Sequence, residues 1–329
     1  MRIGLAYDLK DDIEAGRNIP EDALEEYDSI KVVRAIAHSL RALGHRTVYL
    51  GGGRKFLENI LKARVDFVFN IAEGRGSLRS REAQVPAVLE MLNIPYTGSD
   101  PLTLAITLDK PLAKQIVSSA GVPTPPWVKI GSSVELKAVR ARDIPLPAFV
   151  KPAFEGSSKG IRLTSRVNTA GRARTTAQAL LDKYGQPVLM EKYIEGEEVT
   201  VGIAGNSPPA IVGIMRVLPR KKFKTFVYSL EVKRDWRNLV DYECPARLER
   251  ATLKLISEFS IKAYKTLGCR DFARVDFRVA PDGTPYFLEV NPLPGLNPDS
   301  GDLPIMSYKM GWTYQRLIGT VLEAALARY

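Results

Sequence analysis

Cysteine is almost absent from this chain of 329 residues: Cys244 and Cys269 stand alone, with neither metal-ligand spacing nor a disulfide framework around them. No window is long and apolar enough to span a bilayer. Met1-Arg2 leads straight into the short apolar run IGLAY, so no secretory leader is expected. Internal repeats and low-complexity segments are also missing. Together these absences point to a cytoplasmic protein with no membrane partner.

With 45% hydrophobic residues, the chain can bury a large core, and its length suggests two or three domains. The formal net charge of +10 raises nucleic-acid binding, but the positives are scattered. The densest run, Arg220-Lys221-Lys222 with Lys224, has no basic recognition helix or aromatic stacking platform beside it. Steering of anionic substrates uses the same surplus, and a solvated basic surface explains it without any partner.

Three parts are expected, covering residues 1–98, 99–186 and 187–329. The first has strands at Arg2–Leu5, Thr47–Leu50 and Val65–Ile71, with a helix whose stripe is Ile30, Val33, Ile36, Ala37, Leu40 and Leu43, ending at Gly44. That order implies a parallel sheet. Gly51-Gly52-Gly53 follows the second strand and lacks a spaced third glycine, so it reads as a turn and not a dinucleotide fingerprint. Glu82–Leu92 reads as another helix. The middle part has one helix at Thr103–Ala120, strands at Trp127–Ile130, around Lys151 and at Ile161–Thr164, and a helix at Asn168–Tyr184. The last part opens with the strand VLMEKYI from Pro187, runs through further strands to Val232, and adds a long helix at Ala246–Leu267.

Two features carry chemistry. In FVKPAFEGSSKGI a strand delivers Lys151 into a loop whose Gly156, Ser157, Ser158 and Gly160 are small enough for backbone N–H groups to approach an anion. A plain glycine-rich loop is the alternative. Downstream, Val275–Val279 and Tyr286–Val290 flank an Asp282-Gly283 turn. If Val279 faces Tyr286, Asp276 falls opposite Glu289, and Asn291 shares the face of Glu289. Like charges across a ladder cost about 0.2–1 kcal/mol unless a cation lies between them. Oxygen ligands of this kind suit Mg²⁺ shared with substrate phosphates. A solvated hairpin, its acids paired with Arg274 and Arg278, is the other reading.

The order K-P-x-x-E-G-S-S-x-G, then E-K-Y-I-x-G-x-E, then R-x-D followed by L-E-V-N-P-x-P-G resembles the ATP-grasp superfamily, in its D-alanine–D-alanine ligase branch, from about Asn70 onward. The resemblance implies an N-terminal parallel α/β, Rossmann-like domain and two α+β lobes enclosing ATP. It implies that Lys110 and Lys151 touch ATP phosphates, with Glu155, Gly156, Ser157 and Ser158 folding over them. Glu191, Lys192 and Ile194 would form the hinge beside adenine, and Glu198 would hold the ribose hydroxyls. Asp276, Glu289 and Asn291 would bind two Mg²⁺ ions, with Mn²⁺ as a substitute. Arg274 would steady the acyl phosphate, and Ser157 and Lys233 would assist it. Gly295 and Ser300 would hold the carboxylate of the second amino acid. Small-molecule amino acids and ATP would be the partners, without nucleic acid, and the family often forms homodimers through its N-terminal part.

Several positions depart from the family's pattern. The segment after the first strand reads AYDLKDDIEAG and lacks the family's amino-group-binding glutamate, for which Glu25 or Glu26 in EEYDS is the nearest substitute. Asn70 replaces a histidine, with Glu82 as a nearby acid. Lys233 fits a lysine-tyrosine pair but Arg234 does not, and a guanidinium there would favour an acceptor with an extra carboxylate or merely face solvent. Lys159 stands where a small apolar residue is usual. Three functions stay open: D-alanyl-D-alanine synthesis for the cell wall, ligation of other amino acids or peptides, and nucleotide binding without catalysis.

Overall fold

Alternating apolar runs and capped helices divide the chain among three sheets. A computed structural model describes residues 1–13, 19–221 and 226–329; the end of the AYDLKDDIEAG segment, Lys222 and Lys224 lie outside the described residues. The first lobe contains β1 (Arg2–Tyr7), α1 (Ile30–Ala42), β2 (Arg46–Gly51), α2 (Gly53–Lys62), β3 (Phe67–Ile71) and α3 (Gln84–Met91). Its sheet is parallel, in the order β2-β1-β3. Strands covered on both faces read as continuous apolar runs, and β3 is buried throughout. On α1 the buried stripe includes Val32 beside Val33, Ile36, Ala37 and Leu40, whereas Ile30 and Leu43 are exposed. The glycine run is more than a turn, because Gly53 opens α2. A Cβ on Gly52 would lie 1.9 Å from an Asp8 carboxylate oxygen, so the chain can pass there only as glycine.

The central lobe contains α4 (Pro101–Leu108), α5 (Lys110–Ser119), β4 (Trp127–Ile130), α6 (Ser133–Ala138), β5 (Ala148–Pro152), β6 (Arg166–Val167), α7 (Ala170–Tyr184) and β7 (Val188–Lys192). The single helix expected over Thr103–Ala120 is broken at Asp109, whose carboxylate accepts from the Leu112 amide at 3.2 Å and caps a new helix with Lys110 and Pro111 in its first turn. No strand forms at Ile161–Thr164; a 3₁₀ turn over Leu163–Ser165 comes first and β6 follows it. The sheet runs β4-β7-β5-β6 with antiparallel pairs. β7 sits inside this sheet and ends six residues past the boundary expected at 186, because its Val188, Leu189 and Met190 are the apolar middle of that layer.

The third lobe contains β8 (Glu197–Ala204), β9 (Ala210–Pro219), α8 (Leu230–Arg234), α9 (Trp236–Leu239), β10 (Val240–Glu243), α10 (Arg250–Thr266), β11 (Phe272–Val279), β12 (Pro285–Asn291), α11 (Asp302–Lys309) and α12 (Tyr314–Leu326). Its antiparallel sheet runs β10-β9-β8-β11-β12. Ile256, Ala263 and Tyr264 of α10 pack on Val199, Val201, Val275 and Phe277. The α12 residues Leu317, Ile318, Val321 and Leu322 join Val33, Ile36 and Leu40 in the first lobe's core, so the end of the chain returns to its beginning.

Candidate active site

The β11–β12 hairpin closes one residue away from the symmetric register expected: Val279 faces Pro285 and Arg278 faces Tyr286. A bulge between Asp276 and Phe277 restores the pairing that matters, Asp276 opposite Glu289 and Arg274 opposite Asn291. Arg274 lies 2.9 Å from Asp276 and 3.0 Å from Asp302, with Glu289 at 4.0 Å. Thr200 donates its hydroxyl to Asp276 at 2.5 Å. Part of the solvated-hairpin reading therefore holds, since Arg274 does pair with Asp276, but Arg278 serves another acid. Burial works against the Arg274 charge, yet Asp276 and Asp302 hold the guanidinium protonated. Burial would likewise lift Glu289, but Lys110, Lys151 and Arg274 outweigh it and bring its carboxyl down to about 2.

Lys110 is not an exposed helix lysine. It begins α5, is buried, bonds the Glu155 carbonyl and lies 3.3 Å from Glu289. Lys151, on β5, meets Glu191 at 2.6 Å. Lys114, one turn after Lys110, meets the other oxygen of Glu191 at 2.8 Å and donates to the Phe287 carbonyl. Burial lowers Lys114 to about 8. It was missed in the sequence, although its four-residue spacing from Lys110 puts both on one helix face. Glu191 is thus a buried counter-ion for two lysines. Burial would raise it, but Lys114 and Lys151 hold it below the ordinary carboxylate range.

At the hinge, Lys192 bonds the Leu146 carbonyl. Arg278 ties the segment together, donating to the Ile194 carbonyl at 3.2 Å, the Tyr193 hydroxyl at 2.8 Å and the Gly196 carbonyl at 3.0 Å, while meeting Glu198 at 3.2 Å. Burial pushes Glu198 up, with Arg278 opposing it.

The phosphate loop holds an uncommon backbone. Ser157 and Ser158 have φ of +49° and +58°, and Gly160 has φ of +73°, where a Cβ would come within 2.4 Å of Pro152. Its geometry is fixed by a buried quartet. Arg81 meets Glu26 at 2.9 Å and Glu155 at 3.2 Å; Lys159 meets Glu26 at 2.7 Å and also Glu155. Gln186 adds a bond to Glu155 at 2.6 Å, and Asp22 accepts from the Gly160 amide at 2.9 Å. Lys159 therefore puts a charge where the family's pattern has a small apolar residue, and Glu155 is engaged by Lys159 and Arg81.

Phe149, Lys151, Glu191, Ile194 and Glu198 line one cleft, and Ser157, Asn291, Gly295 and Ser300 line a second cavity of about 390 Å³. Lys233, on α8 with its ammonium 5.1 Å from the Tyr228 ring centre, lines both. The substitutes expected for the amino-group glutamate are already engaged: Glu25 meets Arg234 at 2.6 Å and Lys10 at 4.0 Å, and Glu26 belongs to the quartet. Arg234 is thereby neutralised. Asn70 is buried and structural, its side chain accepting from the Ala72 amide.

Among the described residues no group of three or more His, Cys, Asp or Glu side chains is arranged to hold a metal. Two facing carboxylates and the Asn291 amide nevertheless fit a hard cation that takes its remaining oxygens from phosphate or water, and the depressed Glu289 stays ionised for it.

A lysine-lined cleft between two antiparallel sheets, next to opposed acids on a hairpin, defines the ATP-grasp class. The family model for the D-ala D-ala ligase C-terminus matches residues 116–323. A D-alanine–D-alanine ligase of Aquifex aeolicus is 33% identical over 300 residues, covering 89% of this chain and 94% of the relative. An uncharacterized protein of Sinorhizobium fredii is 31% identical, covering 91% and 88%. A D-alanine–D-alanine ligase of Bacillus anthracis, solved with ATP, superposes with a TM-score of 0.77 at 26% identity, covering 100% and 98%. The chain belongs to the D-alanine–D-alanine ligase family, and the kinship reaches well before Asn70.

Proposed function

We propose that this protein is an ATP-dependent D-alanine–D-alanine ligase. The observation that carries the reading is that Arg274, Lys233 and Asp302 line both the lysine-bearing cleft and the adjoining cavity, so a phosphoryl group and an amino-acid carboxylate can meet at one guanidinium. A carboxylate oxygen of the first D-alanine attacks the γ-phosphorus as the bond to the β-phosphate oxygen breaks, giving D-alanyl phosphate and ADP. The amine of the second D-alanine then attacks the acyl carbon, phosphate leaves, and the nitrogen loses a proton.

Lys110 and Lys151 bind the phosphates, and Arg274 offsets charge on the acyl phosphate and the tetrahedral intermediate. Gly156, Ser157 and Ser158 cover the phosphates and, with Lys233, exclude water that would hydrolyse the activated acid. Glu191, Lys192 and Ile194 offer the hinge to adenine, Glu198 takes the ribose, and Gly295 and Ser300 take the acceptor carboxylate. Asp276, Glu289 and Asn291 would hold Mg²⁺, one ion or two, with Mn²⁺ as a substitute. When bound, the metal neutralises phosphate charge in the transferring group. Glu25 has no part in this scheme, being held by Arg234, and an acceptor with an extra carboxylate loses its main support for the same reason.

We divide the chain into lobes at 1–98, 99–192 and 193–329, with the last helix shared with the first lobe. Dependence on ATP suits a cytoplasmic site. Every side chain named comes from one chain, so the chemistry needs no second subunit. Among the described residues no helix is long and apolar enough to cross a membrane.

The test is phosphate release with Mg-ATP and a panel of D- and L-amino acids, with products weighed by mass spectrometry. D-alanine alone should give D-alanyl-D-alanine. Turnover only with another amino acid would replace the substrate, and silence across the panel despite ATP binding would remove the catalytic reading.

A further inference from the structure

We infer that Glu82, with Glu73 on the same cavity wall, binds the ammonium group of the first substrate amino acid. This rests on the ligase reading above. Three other acids of the cavity have cationic partners in place: Glu25 has Arg234 at 2.6 Å, Glu26 has Arg81 and Lys159 at 2.9 and 2.7 Å, and Asp302 has Arg274 at 3.0 Å. Asp28 has no ion pair among the described residues, but it does not line the recess beside the phosphate loop, and Glu82 does. The Glu82 side chain makes no ion pair or hydrogen bond among the described residues, although the residue is only 7% exposed and lines the cavity. A buried carboxyl with no ion pair or hydrogen bond weakens a fold, and a visiting cation offsets that cost.

Position strengthens the assignment. In an α-amino acid the ammonium and the carboxylate are attached to the same carbon, so the ammonium site must adjoin the point of phosphoryl transfer. A small recess joins Glu82 to Gly156 of the phosphate loop, Lys110, Glu289 and Asn291. Glu25 takes no part in that recess. Burial raises Glu82 to about 7 and lifts Glu73 well above its ordinary range; Glu82 adds to the shift of Glu73, Glu26 adds to both, and Arg81 opposes both. An arriving ammonium relieves both.

The test compares wild type, Glu82→Gln, Glu82→Asp and Glu73→Gln in two assays: D-alanyl-D-alanine synthesis with Mg-ATP, and calorimetric binding of D-alanine and of propionate, which lacks the amine, to protein loaded with a non-hydrolysable ATP analogue. Glu82→Gln should raise the first-site KM for D-alanine at least tenfold, leave the ATP KM within twofold, and erase the preference for D-alanine over propionate. Glu82→Asp should restore part of it. If Glu82→Gln does not fold, Glu73→Gln carries the same expectation at a smaller fold-change. Unchanged first-site KM in a folded variant overturns the assignment and leaves the ligase reading intact. Wild type that binds D-alanine through Glu82 but ligates nothing supports the assignment while removing that reading, and wild type that does not bind D-alanine at all overturns both.

Discussion

Lys159 and Glu26 form an ion pair of 2.7 Å in which both side chains are nearly without solvent, joining the N-terminal segment to the phosphate loop. Arg81 and Glu155 complete a balanced square of two cations and two anions, so removing any corner leaves a buried charge uncompensated. Removing one member of a buried pair costs about 3–5 kcal/mol. Lys159→Met should therefore lower stability by roughly that amount and raise the ATP KM, because the Ser157–Ser158 backbone loses its anchor. Urea unfolding and ATP kinetics check this. A stable variant with normal ATP kinetics would show that the loop is held by its own backbone.

Glu289→Ala should abolish turnover while the fold persists. The carboxylate faces Lys110, Lys151 and Arg274, and no other acid stands opposite Asp276. Loss of a transition-state charge partner lowers kcat by about 100-fold or more. Phosphate release and circular dichroism measured on the same sample separate the outcomes: persistent ligation by a folded variant sinks the metal assignment.

Arg278→Met should raise the ATP KM about tenfold with kcat little changed. Its guanidinium holds Glu198 and three groups of the segment 193–196, which the proposed function assigns to ribose and adenine and not to the reacting phosphate. This is binding energy shared by ground and transition states. An equal fall in kcat at unchanged KM would mean that the hinge governs chemistry and not nucleotide affinity.

The lysine and hairpin half of the candidate site was legible because its signals are local. Lys151 and its loop, or Asp276 and Glu289 across a hairpin, can be read within about 20 residues, and a bulge corrected the register where simple counting slipped. Long-range relations were not legible. Glu191 reads as a hinge residue, but pairing of β7 with β5 turns it into a counter-ion for Lys151. Glu26, Arg81 and Lys159 are separated by up to 133 positions in the sequence, and no period or spacing shows that they meet. The break at Asp109 was legible in principle from Asp-Lys-Pro, where a cap and a proline lie in helix-start order, but the apolar stripe on either side masked it.

Glu82→Gln should make the protein more stable at pH 8 while impairing ligation. The folded carboxyl titrates near 7, against an ordinary 4.5, because burial disfavours its charge. A raised carboxyl binds more protons in the folded state than in the unfolded state between those values, so its penalty is absent below 4.5 and grows as the pH climbs to 7. A shift of this size corresponds to about 3 kcal/mol at most. The variant's advantage in urea should therefore be about 1–3 kcal/mol at pH 8 and shrink towards zero at pH 4. Wild type being the more stable at pH 8 would mean that Glu82 has a structural partner, and it would then lose its claim to the substrate's ammonium.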